Sequence, residues 1–114
     1  FSYCPSETTP KTFQDFVASV KAFKPEAFDR QPLAYLSLWY DAVYVLKAAV
    51  EGTGGKTDGP SVAAWLEANS KSFRGINSGL SASKATHFLV GQDALTVVYP
   101  DRQREGGLLE RVGC

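Results

Sequence analysis

The sequence predicts an α/β chain in which three helices, at about residues 10–23, 33–51 and 60–70, are followed by a short β-hairpin, strands at about 86–90 and 94–99. Three observations carry this. Leu33 to Glu51 is a long apolar run framed by Pro32 and Gly52. Phe13, Phe16, Val17, Val20 and Phe23 recur at spacings of three and four, the period of an amphipathic helix. The β-rich runs THFLV and ALTVVY come late and are joined by Gly91-Gln92-Asp93.

Phe1 to Pro5, FSYCP, is aromatic and then broken by proline, and reads as the tail of a strand or a hinge. Thr8 or Thr9 can cap a helix with Pro10 in its first turn. Lys24-Pro25 ends that helix, and PEAFDRQP reads as a loop. In the central run only Ser37, Asp41, Lys47 and Glu51 are clearly polar, which suits a helix covered on several sides. Nineteen residues at about 1.5 Å each make a rod of roughly 28 Å, enough to cross a small domain. The charges at its ends and the Tyr, Ser and Asp within it argue against a membrane span. The remainder is expected to pack around this helix.

Thr53 to Gly59 is glycine-rich, yet it lacks the G-x4-G-K-[ST] spacing and no strand precedes it, so it reads as an inter-helix turn rather than a phosphate loop. Pro60 opens the third helix, with Val62, Trp65, Leu66 and Asn69 on one side, and the second and third helices are expected to form an antiparallel hairpin. Pro100 and Asp101 are expected to end the last strand. The tail from Arg102 mixes charge, glycine and two leucines without a repeat.

The 114 residues amount to one domain or part of one, and 44% hydrophobic with 21% charged residues is ordinary for a folded chain. Twelve basic residues balance twelve acidic ones, and no basic patch speaks for a nucleic-acid partner. There is no methionine, so Phe1 is read as a processed or cut end of a longer protein. Cys4 and Cys114 have no metal-ligand spacing around them. Paired, they would close nearly the whole chain and stabilise it by up to ~4–5 kcal/mol. Free thiols, or pairing outside the chain, are the alternatives.

His87, the lone histidine, would need a nucleophile and an orienting acid to act as a base, and it reads as structural or surface-exposed. Asp41 sits mid-helix among apolar residues. A buried carboxylate needs donors, so it reads as a structural anchor for backbone amides or a nearby Arg or Lys. Tyr35, Trp39, Tyr40, Tyr44 and Trp65 read first as core, with Tyr35 a ligand candidate; Tyr3, in the hinge-like segment, is the better placed of the two. No acid pair, metal constellation or nucleotide fingerprint is present, so no enzyme, metal or cofactor is expected.

The run LWYDAVYVLKAAVEGTGGKTDGPSVAAWLEA, then FRGINSGLSAS and a hydrophobic strand, resembles the C-terminal part of type I periplasmic substrate-binding proteins of ABC transporters, the branched-chain amino-acid class. Tyr40-Asp41-Ala42-Val43 matches the family's Tyr-Asp-Ala-Val helix, and Gly75 and Gly79 match its Gly-x-x-x-Gly step, both structural positions. FQDFVASVKAF is similar to the preceding family helix, and the likeness covers roughly residues 1 to 100. Ser81-Ala82 stands where the family has Phe-Asp, and Thr86-His87-Phe88 is unusual, so the ligand does not transfer. The resemblance implies a C-terminal fragment of a two-lobe fold, exported to the periplasm or cell exterior. It implies a small solute, an amino acid or organic acid, and a membrane permease as partners. A ligand-sensing receptor of the same fold and a small secreted α+β interaction domain are the alternatives. A fragment of this kind would expose apolar faces, and a dimer is expected.

Overall fold

The computed structural model describes residues 2–76, 80–87, 89–90, 95–104 and 107–114. Helices and a small three-stranded sheet place it in the general α/β class. The chain divides into two compact units, residues 1–37 with 95–114, and residues 38–94.

The terminal unit holds the sheet, in the order β1-β3-β2, from β1 (Ser2–Tyr3), β2 (Val98–Gln103) and β3 (Leu109–Arg111). β1 runs parallel to β3, with Ser2 opposite Leu109 and Tyr3 opposite Glu110. β2 and β3 pair antiparallel, and their register slips between Val98 and Gln103. Helix α1 (Lys11–Phe23) buries Phe13 and Phe16, the two rings 6.3 Å apart between centroids. It starts from Pro10, whose carbonyl accepts from the Phe13 and Gln14 amides. No side chain caps it, contrary to the role expected of Thr8 or Thr9; proline at the boundary supplies a preset φ instead. The segment expected to be a loop carries a one-turn helix, α2 (Ala27–Arg30).

The expected hairpin is corrected. Residues 95–97 are irregular, and Leu95 and Val97 are exposed. The strand instead begins at Val98 and runs through Pro100 and Asp101 to Gln103. Proline is tolerated there because β2 lies at the sheet edge, where a missing N–H breaks no ladder. Within 86–90, the described residues form only isolated bridges, Ser83 with Thr86 and Leu80 with Val90. Positions 88 and 91–94, part of the expected hairpin, lie outside the described residues.

The central unit is built on α3, which spans Leu33–Gly52 and so begins in the terminal unit, and on α4 (Gly59–Asn69). α3 ends in a Schellman-type closure: the Gly55 amide donates to Val50 O and the Gly54 amide to Glu51 O. Gly54 and Gly55 adopt φ of 72° and 91°, which glycine supplies without steric cost. A side chain at Gly52 would overlap the Trp65 indole, so the missing Cβ lets α4 approach the end of α3. Asp58 caps α4, accepting from the Ser61 amide at 3.0 Å, and that bond lowers its pKa below the ordinary aspartate value. Behind α4 a short 3₁₀ turn, Ser70–Ser72, buries Ser70, whose hydroxyl accepts from the Ala82 amide at 2.7 Å.

The expectation that α3 is covered on several sides is also corrected. It buries a single i, i+4 stripe, Ser37, Asp41, Val45 and Ala49. Tyr35, Leu38, Trp39, Val43, Tyr44 and Leu46 are exposed, Trp39 at 62% and Val43 at 67%. A helix that is apolar all round can be covered only where partners exist, and the described residues supply them along one stripe. α3 is long and apolar enough to cross a membrane, on length and composition alone.

Candidate functional site

The best-defined polar arrangement in the central unit is centred on Asp41. Asp41 is 4% exposed, and its Oδ1 accepts from the Ile76 amide at 2.8 Å. A Cβ at Gly75 would overlap both carboxylate oxygens, so the glycine makes the space the carboxylate occupies. A buried charge needs donors, and a backbone amide aimed at it provides one at no side-chain entropy cost. Asp41 and Gly75, two of the sequence-derived structural residues, thus meet. Gly79, the third, lies outside the described residues. The bond ties α3 to the chain that follows the 3₁₀ turn.

His87 shares a hydrogen bond of 2.9 Å between Nε2 and Glu67 Oε1, on an exposed face. With Val62 and Leu66 it lines a hollow of about 200 Å³.

In the terminal unit, Cys4 and Cys114 form a disulfide spanning 110 positions. Around it lies a cluster that the sequence reading passed over as a charged tail. Arg104 donates to the Glu7 carbonyl at 3.0 Å and the Pro5 carbonyl at 3.2 Å, and its guanidinium stacks 3.8 Å from the centroid of the Tyr3 ring. Arg111 pairs with Glu7, and Arg102 pairs with Glu110 at 2.8 Å while lying over Tyr99. The Glu7 carboxyl is held below its usual range, chiefly by the Cys4 amide, which donates to it at 2.8 Å, and then by Arg111. The Glu110 carboxylate raises the pKa of Arg102. The concentration of charge at Arg102, Arg104, Glu110 and Arg111 is the signal that could have marked these residues. Arg102 and Glu110 pair only 8 positions apart, but the partners of Arg104 and Arg111, 97 to 104 positions away, are not visible in the sequence.

Neither ligand candidate, Tyr3 or Tyr35, lines the cavities found among the described residues. Tyr3 lies in β1 beneath Arg104, and Tyr35 stands on the exposed side of α3. No group of three or more metal-ligating side chains occurs among the described residues.

Comparison with known proteins returns no matching family model, no matching curated protein and no matching solved structure.

Proposed function

We propose that this chain is the C-terminal part of an extracytoplasmic solute-binding protein of an ABC transporter, with binding rather than catalysis as its role. It would contribute one side of a site for an amino acid or related organic acid, passed on to a membrane permease. The observation that carries this reading is the bond from Ile76 to Asp41. The resemblance rests on two separated pieces of sequence, Tyr40-Asp41-Ala42-Val43 and the Gly75 step. This bond accounts for both: the motif carboxylate needs a donor, and the glycine clears the room to deliver one. The parallel pairing of β1 with β3 also supports it, because parallel strands ordinarily belong to larger sheets covered on both faces. The terminal disulfide fits export to an oxidising compartment.

A thermal-shift panel of amino acids, aromatic acids and dicarboxylates tests this on the 114-residue chain beside a chain extended upstream. The expected result is stabilisation of the extended chain alone, by a few degrees at saturating ligand. Equal stabilisation of both by the same free solute would overturn it.

The uncovered side of α3 sets a second expectation. With Leu38, Trp39, Val43 and Leu46 exposed, the isolated chain should dimerise, a second copy covering that face. Sedimentation velocity should show a concentration-dependent dimer that Val43→Glu shifts to monomer. A sharp monomer for the parent chain at high concentration would sink the dimer. That result would instead favour a free-standing small secreted domain, a reading for which the disulfide also speaks.

A further inference from the structure

Within the terminal unit lies an open cleft of about 750 Å³ that none of the preceding readings uses. One wall is the C-terminal half of α1, a second is the chain from Pro25 to Ala34, and the third is the β2–β3 hairpin. Val17, Phe28, Leu33 and Leu109 give it an apolar lining. Leu33 closes against Gly107, approaching to 3.5 Å the point where a Cβ would stand, and Gly107 has a φ of 86° that favours glycine. Lys21, Asp29, Gln31 and Gln103 supply the polar groups. Lys21 and Asp29 make no ion pair among the described residues, while nearby Lys11 is paired with Asp15 at 2.6 Å. Among the described residues the cleft therefore offers a cation and an anion outside any ion pair, and two amides that each donate and accept.

We propose that this cleft binds a short peptide with apolar side chains and free termini. Three features select that class. The volume lies in the upper part of the roughly 300–1,000 Å³ range of small-molecule sites and leaves a single amino acid mostly unsupported. The lining is apolar, so it rewards bulky side chains. Its charges are balanced, so a ligand of one sign gains from one group and is repelled by the other, whereas a zwitterion can satisfy both. A peptide's terminal carboxylate complements Lys21 and its ammonium complements Asp29. Gln31 and Gln103 match the amide groups between them.

The proposal does not rest on the transporter reading: the cleft is formed by the terminal unit alone and its ligand is not a free amino acid. The test is calorimetric titration of the 114-residue chain with trileucine, with leucine, and with trileucine acetylated and amidated at its ends. Amide NMR shifts would locate the site. Trileucine should bind with a Kd below about 1 mM, moving Val17, Phe28 and Leu109. Lys21→Gln and Asp29→Asn, both on exposed positions, should each weaken it about threefold to fivefold. The capped peptide should bind more weakly than the free one to the parent chain and lose nothing further in either variant. No saturation with trileucine, shifts away from the cleft, affinity unchanged in both variants, or leucine binding as tightly as trileucine would each overturn the proposal. Because the solute panel contains no peptides and this titration needs no extended chain, either reading can fail alone.

Discussion

Replacing Cys4 and Cys114 together by serine is expected to lower the unfolding free energy by about 4–5 kcal/mol. The bond spans 110 positions, and loop-closure entropy in the unfolded chain grows with the length enclosed. Against a typical total of about 5–15 kcal/mol, this is roughly a quarter or more of the stability. Urea unfolding of the oxidised parent and the double serine variant measures it. The folded-state contacts near the bond should partly survive, because Arg104 still reaches the Glu7 and Pro5 carbonyls and Arg111 still pairs with Glu7. A loss below about 1 kcal/mol would mean that the termini are held by those arginines rather than by the covalent link.

The second large effect is expected at the Asp41 carboxylate. Asp41→Ala removes a charged acceptor from a part-buried amide, and should cost about 2–3 kcal/mol. Gly75→Ala attacks the same arrangement from the other side, since the new methyl overlaps the carboxylate, and should cost about 1–3 kcal/mol. The informative measurement is the double-mutant cycle. Once Asp41 is alanine, the space is free and Gly75→Ala should cost much less, giving a coupling of about 1 kcal/mol or more. Additive losses would show that Gly75 matters for its own backbone and not for the carboxylate.

The helices were legible in the sequence and the sheet was not, for reasons that lie in the range of the interactions. Pro10, Pro32, Pro60 and Gly52 punctuate the chain locally, and α1, α3 and α4 fall within a residue or two of the positions those residues indicate. β2 defied the same reasoning. The apolar run at about 94–99 looked like the strand, yet the pairing falls on Val98 to Gln103, sharing only Val98 and Tyr99 with it, because Leu109–Arg111 lies opposite. Strand choice was thus set by a partner rather than by propensity. Asp41 was legible as a carboxylate in need of donors, whether backbone amides or a nearby Arg or Lys. Which amide answered, 35 positions later at Ile76, was not. The apolar circumference of α3 was read as evidence of cover on several sides, but composition records what a helix can bury and not which neighbours are there to bury it.

The adjacency of β1 and β3 has a consequence in time. Ser2 pairs beside Leu109, so β1 cannot meet this partner until residues 109–111 have been made. Residues 38–94, by contrast, are contiguous, and the bond from Ile76 to Asp41 closes a loop of only 35 positions. Long closures are slow because chain entropy must be given up before the contact is gained. During synthesis, residues 38–94 can organise before β1 meets β3. Until Cys114 has been made, Cys4 lacks the thiol that it pairs with in the fold and is open to exchange with others.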